Sequence, residues 1–282
     1  MQPLLGVLLG LMLAVTSSAQ NNCTCVTNKW TVCAQDASGN CTCTLVGSNH
    51  KVSCSTLTSK CLLMKAEVSS LKEKHLWGHP YGLLDNEGIY SPDCEDSGAF
   101  KARQCSQSDT CWCVNTAGVR RTEKGDKSLT CEELVRTSWI YIKLRHKRRS
   151  SAFDVADLTA ALKELFESRY KLHPKYITAV EYSSPLIQIC LNQHEKAASD
   201  VDIADVAYYF EKDVTDDSVF DSNSPLTVSV DGDALHIEKI RIYYVDEKPP
   251  EFHMSHLGVS VGVVVTVVIL VMGFGITLLA FL

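Results

Sequence analysis

The sequence predicts two small disulfide-rich modules, followed by an α+β domain and one transmembrane helix. Three observations carry that expectation. Twelve of the 13 cysteines lie between Cys23 and Cys131, a density met in secreted disulfide scaffolds and foreign to a reducing cytosol. From Glu132 to about Glu251 one cysteine remains, Cys190, and ordinary globular patterning takes over. Residues 257–282 carry no charge over 26 positions, about 39 Å of helix against a bilayer core of about 30 Å. The 282 residues hold 27 Lys+Arg and 33 Asp+Glu, net −6, which argues against a nucleic-acid binder.

Taken in order, residues 1–19 read as a signal peptide. Leu4 to Val15 is a 12-residue apolar core, and Ser17-Ser18-Ala19 places small residues at −3 and −1 of a cleavage before Gln20. Residues 20–60 are rich in Cys, Thr, Ser and Asn, too polar to bury a useful core without covalent staples. Residues 61–131 hold six more cysteines. The close pairs Cys23/Cys25, Cys41/Cys43 and Cys111/Cys113 have one intervening residue, whereas structural zinc sites prefer two to four. Disulfides are therefore expected, and spacing alone leaves 15 pairings for each set of six.

Residues 132–251 alternate strand and helix signals. Trp139 to Leu144 is β-branched and aromatic, as a strand is. Asp154 caps an expected helix whose stripe is Leu158, Leu162, Leu165 and Phe166. Tyr176–Tyr182 and Leu186–Leu191 read as strands about a Ser-Ser-Pro turn. Asp200 is placed as the cap of a second helix, with Ile203, Val206, Ala207 and Phe210 inward. Leu226–Val230, the turn Asp231-Gly232 and Leu235–Val245 close the domain. The order β-α-β-β-α-β-β implies helices on one face of a mainly antiparallel sheet. Residues 257–282 complete the chain as the span, giving a type I topology. No Lys or Arg follows it in this sequence, and Gly258/Gly262 form a weak Gly-x-x-x-Gly pair. His253–His256 is a poor spacer for a cleaved lipid-anchor signal.

Within residues 61–131, Gln104-Cys105, Cys111-Trp112-Cys113-Val114 and Gly118 resemble the thyroglobulin type-1 module. The runs Cys54–Cys61, Asn115–Arg121, Asp200–Glu211 and Ile242–Glu247 extend the likeness. From Cys23 to Phe252 the chain resembles the epithelial cell adhesion molecule family. The resemblance implies the pairings Cys23–Cys41, Cys25–Cys54, Cys33–Cys43, Cys61–Cys94, Cys105–Cys111 and Cys113–Cys131. It implies a single-pass type I glycoprotein of the plasma membrane, with its ectodomain extracellular, mediating homotypic epithelial adhesion and receptor-like association. The partners implied are a second copy, in cis and in trans, and claudin-type membrane proteins; no cofactor is implied. Two departures are Cys190, where the family usually has an acidic residue, and the family's basic cytoplasmic tail, which this sequence does not carry. The alternative function is a membrane-anchored thyroglobulin type-1 inhibitor of cysteine proteases.

Catalytic constellations fail. None of the nine histidines falls in a helical metal spacing, and neither Gly-x-Ser-x-Gly nor a Gly-rich phosphate loop occurs. Asp213, Asp216, Asp217 and Asp221 lack the spacing of a calcium loop and read as a solvated acidic loop. A non-enzyme is expected. The sequons at Asn22 and Asn40 are candidate glycan sites. Arg121 and Arg148 are candidate protease cleavage points, Arg121 preferred as an accessible loop tip. Cys190 reads as an inert thiol in a strand interior, the sharper alternative being an intermolecular disulfide. Residues 120–149 carry net +6 and residues 195–233 net −9, which predicts a two-fold dimer steered by opposite charge, the alternative being that the two segments neutralise each other within one molecule.

Overall fold

A computed structural model describes residues 23–75, 90–106, 109–197, 200–221 and 225–251. The expected signal segment, Asn22 and the apolar run 257–282 with Gly258 and Gly262 lie outside the described residues. Among the described residues no helix is long and apolar enough to cross a membrane.

The chain begins with a small antiparallel sheet, β1 (Thr31–Gln35), β2 (Cys41–Leu45) and β3 (Lys51–Val52), in the order β1-β2-β3. Asp36 builds the β1–β2 turn: its carboxylate accepts from the backbone N–H of Ser38 (2.9 Å) and Asn40 (2.8 Å). Cys33–Cys43 joins directly opposed residues of β1 and β2, Cys23–Cys41 ties the preceding loop to β2, and Cys25–Cys54 joins the loops on either side of the sheet. Half of the residues of β1 and β2 are exposed, and only a small cluster of Leu45 with Leu62 and Ala66 is buried, so staples supplement the core here.

Next comes α1 (Lys60–His75), which buries Cys61, Leu62, Leu63, Ala66 and Val68. Cys61–Cys94 anchors it to the following loop. The hairpin of β4 (Arg103–Cys105) and β5 (Cys111–Cys113) is closed by Cys105–Cys111, opposed in register, and Cys113–Cys131 fastens the loop beyond.

The remaining elements are β6 (Thr137–His146), α2 (Val155–Tyr170), β7 (Ile177–Ser183), β8 (Leu186–Asn192), α3 (Ile203–Val214), the short ribbon β9 (Ser229–Val230) and β10 (Asp233–Ala234), and β11 (Ile237–Asp246). Four strands form one antiparallel sheet in the order β11-β6-β8-β7. Alternation decides its faces: Ile140, Ile142 and Leu144 of β6 and Ile187, Ile189 and Leu191 of β8 are buried beneath the helices. Asp154 caps α2 by accepting from the N–H of Ala156 and Asp157. Lys171, in the left-handed region at φ 58°, ends it by donating its N–H to Glu167. The α2 stripe is Leu158, Leu162, Phe166 and Tyr170.

Two local expectations change. The cap of α3 is Asp202, not Asp200: the Asp202 side chain accepts from Ala204 N–H (2.9 Å), while Asp200 accepts from the Tyr176 hydroxyl and pairs with Lys175 (3.3 Å). The strand expected over 226–230 is reduced to Ser229–Val230. The larger finding is that the three compositional regions share one core. Leu63 and Ala117 belong to the same buried cluster as Phe166, Tyr209 and Phe210, with Trp30 and Leu57 packed against it.

Candidate functional site

The signature residues of the second module are structural parts. Gln104 is fully buried; its Oε1 accepts from Asp93 N–H (2.8 Å), and its Nε2 donates to the carbonyls of Asp93 (2.9 Å) and Lys101 (2.7 Å). The Trp112 ring meets Tyr90 edge-on at 4.8 Å, and Val114 is buried beside Phe100. Gly118 sits at φ +74°, and a Cβ there would fall 2.5 Å from Cζ of the buried Phe100. Gly118→Ala is expected to cost about 2–4 kcal/mol, combining left-handed strain with a ring that must shift. A shift in the denaturation midpoint checks it.

Two junctions hold the three regions in one arrangement. At the first, Asp246 at the end of β11 accepts from Asn115 Nδ2 (2.8 Å), Thr137 Oγ1 (2.8 Å) and Arg121 Nε (2.9 Å). Asn115 Oδ1 in turn accepts from the N–H groups of Ala117 (3.0 Å) and Val119 (2.8 Å), so the loop is shaped by the residue that docks it. At the second, α3 touches both modules. The Tyr209 hydroxyl donates to Thr27 C=O (2.7 Å) and accepts from Thr58 N–H (3.1 Å). Glu67 on α1 accepts from Tyr208 (2.9 Å) and Lys212 (3.1 Å), and Lys29 pairs with Asp217 (3.1 Å).

The second junction also contains a proton-sensitive pair. Asp205 Oδ1 accepts from the backbone N–H of Lys60 (2.7 Å), whose ammonium lies over the Tyr244 ring at 4.7 Å. Burial, then the nearby Asp202 charge, pushes the Asp205 carboxyl up to about 7; burial pushes the Lys60 ammonium down to about 8. Between the ordinary carboxylate value of 3.8 and about 7 the folded state keeps a proton that the unfolded chain has lost. This group's contribution to stability is therefore full at acid pH and is lost as pH rises through about 7. Asp205→Asn keeps the acceptor and removes the titration. Its thermal midpoint should gain on the parent's as pH rises from 4 to 7.5 (~0.5 unit steps); parallel curves would contradict this.

Several expected site residues are placed differently from their reading in the sequence. Arg121 is not an accessible loop tip. It is 4% exposed, and its Nη2 donates to the carbonyls of Lys248 (2.9 Å) and Pro249 (2.7 Å). Nothing local announces this, because its partners lie well over a hundred residues downstream. Arg148 is the exposed one of the two, just past the end of β6. The acidic loop is not wholly solvated either: Asp213 is 5% exposed and accepts from Arg169 (2.6 Å) and the Tyr170 hydroxyl (2.7 Å). Asn40 is exposed, as is Thr42 of its sequon. Cys190 is 5% exposed on β8, and burial raises its thiol pKa.

The acidic half of the charge-steered dimer is reduced, because four of the 11 carboxylates in 195–233 are engaged within the chain. Asp200, Asp213, Asp217 and Asp233 are each ion-paired within the chain, to Lys175, Arg169, Lys29 with Lys212, and Arg149. An uncovered apolar surface stands beside this corrected picture. The sheet face opposite the helices presents Tyr243 and Val245 of β11 and Leu186 of β8, 45%, 43% and 57% exposed. Trp139 and Tyr141 of β6 stack between them with ring centroids 6.3 Å apart. Among the described residues His194 meets Trp139 edge-on at 6.1 Å and Lys143 lies over the Tyr243 ring at 5.2 Å, while α2 and α3 cover the other face. The sulfur groups close enough to share a metal, such as Cys25, Cys43 and Cys54, are disulfide-bonded, and a disulfide sulfur is not a thiolate ligand.

Comparison with known proteins follows these boundaries. Residues 137–246 match the family model described as EPCAM/Trop-2, C-terminal. Residues 23–60 match the epithelial cell adhesion molecule N-terminal domain, and residues 61–131 the thyroglobulin type-1 repeat. The chain is 52% identical over 260 residues to tumor-associated calcium signal transducer 2 of Rattus norvegicus, covering 90% of this chain and 82% of that one. The human protein of that name is also 52% identical over 260 residues, covering 90% and 80%. Epithelial cell adhesion molecule of Bos taurus is 48% identical over 265 residues, covering 92% and 83%. With three family models in series and relatives about half identical over nine-tenths of its length, the chain belongs to the epithelial cell adhesion molecule family and carries a thyroglobulin type-1 module at its centre.

Proposed function

We propose that the chain is a non-enzymatic, single-pass type I glycoprotein of the plasma membrane, and that its ectodomain carries homotypic epithelial adhesion and receptor-like association. In this reading residues 1–19 are the signal peptide and 257–282 the membrane span. Residues 20–60 and 61–131 are the disulfide modules and 132–251 the α+β domain, with glycans on Asn22 and Asn40. The relatives' names, an adhesion molecule and a signal transducer, support it. The carrying observation is the open sheet face. The exposed Tyr243, Val245 and Leu186, with the half-buried Trp139 and Tyr141, give a rigid sheet face the composition of an interface centre. The adjoining edge strand β11 carries Lys239 and Arg241, which oppose sheet extension and favour face-to-face pairing.

Cells that do not otherwise adhere should aggregate when they display the chain. Tyr243→Lys with Val245→Lys, displayed at equal density, should abolish aggregation; unchanged aggregation sinks the reading. Claudin-type membrane proteins are candidate lateral partners, tested by co-purification from the same cells. The protease-inhibitor alternative is not favoured. An inhibitory wedge needs free loops, whereas the loop after Cys113 is docked through Asn115, Thr116 and Arg121 onto residues 135–137 and 246–249.

A further inference from the structure

Like charges directly opposed across two strands repel, and a fold normally avoids them. This sheet opposes them twice. In the β6–β11 register Arg145 faces Lys239 and Lys143 faces Arg241, and opposed residues of an antiparallel pair project to the same side. All four are exposed. They form a rectangle about 5 Å across the strands and about 7 Å along them. The row continues past the strand end, where Lys147 N–H donates to His236 C=O (2.9 Å) and Lys147 and Arg148 are exposed. From Lys143 to Lys147 the row runs about 14 Å.

Local carboxylates do little to relieve the repulsion. Glu238 reaches Arg145 at 4.0 Å, Asp233 is paired with Arg149, and Glu181 lies two strands away, held by Gln188 at 3.0 Å. Among the described residues Lys143 meets the Tyr243 ring, at 5.2 Å, and no carboxylate. Among the described residues no ion pair involves Lys147, Arg148, Lys239 or Arg241. A second copy offers a reduced counter-charge, because Asp200, Asp213 and Asp217 of its acidic stretch are paired within its own chain. The disulfides place the surface in an oxidising, extracellular setting. There, a linear array of cations on rigid strands matches an extended polyanion, and basic runs of this kind are heparin-type patches.

We infer that the corner formed by Lys143, Arg145, Lys239 and Arg241, extended by Lys147 and Arg148, binds sulfated glycosaminoglycan chains. The site adjoins the aromatic row but does not depend on self-association there. The test applies the full chain, purified in mild detergent, to immobilised heparin at physiological ionic strength. The parent is retained on heparin and passes through chemically desulfated heparin. It also fails to bind vesicles containing phosphatidylserine. Lys143→Glu/Arg145→Glu/Lys239→Glu/Arg241→Glu is not retained. Lys147→Ala/Arg148→Ala, which lies outside the strands and leaves the fold intact, elutes at lower salt. Reversing four lysines elsewhere, Lys51→Glu/Lys101→Glu/Lys127→Glu/Lys171→Glu, leaves retention unchanged. The inference is overturned if the parent is not retained, if desulfated heparin serves equally, if vesicles bind and heparin does not, or if elution of the Lys147/Arg148 variant is unshifted.

Discussion

Asp246→Ala is expected to destabilise the folded chain by about 3–5 kcal/mol, the range for removing one partner of a buried ion pair. The carboxylate is the common acceptor for Arg121, Asn115 and Thr137, and the Arg121 side chain is only 5% exposed. Alanine leaves that guanidinium buried with no carboxylate, and it undoes the loop that Asn115 shapes. The thermal midpoint should fall by on the order of 10 °C. Limited proteolysis should then cut after Arg121, and the fragments should stay joined through Cys113–Cys131 until reduction. In the parent, protease should prefer the exposed Arg148, whose fragments no disulfide bridges. A variant as stable and as protease-resistant at Arg121 as the parent would mean that the junction does not hold the modules together.

The second large effect is at Tyr209. Tyr209→Ala removes a fully buried ring packed on Phe220 at 5.1 Å and a hydroxyl that serves two backbone groups. It should cost about 3–5 kcal/mol. Tyr209→Phe separates the two contributions: the ring stays, while Thr27 C=O and Thr58 N–H lose their shared partner, for about 1–3 kcal/mol. Chemical denaturation of both variants measures the split. If Tyr209→Phe matches the parent, the hydroxyl is not what fastens the N-terminal module to α3.

Local signals were legible where a pattern closes on itself within one element. Asp154 and the stripe from Leu158 to Phe166 announce α2, and the alternation in Trp139–Leu144 announces β6. α1 was not legible. It has no acidic residue in its first turn, and the six cysteines around it dominate the composition. What makes it a helix is packing: Leu63 enters the shared core, and Cys61 is bridged to Cys94. The cap of α3 lies two residues beyond the position the sequence suggests, because Asp200 and Asp202 are equally good caps in isolation. The Tyr176 hydroxyl, a tertiary partner, takes Asp200 away. Arg121 reads as an accessible loop tip for the same reason, since its carboxylate arrives from the end of β11. The open face is half legible. Alternation in β6 and β11 gives two faces, and only the arrangement of α2 and α3 tells which is left uncovered.

The most direct test of self-association through that face is the mass of a secreted fragment, residues 23–251, by sedimentation across a concentration series. A concentration-dependent dimer is predicted. It should persist at high salt, because Tyr243 and Val245 at the centre of the face are uncharged, and in Cys190→Ser without reductant. Tyr243→Lys with Val245→Lys should return it to monomer. A fragment that stays monomeric at every concentration, or a dimer indifferent to those two substitutions, would contradict the account.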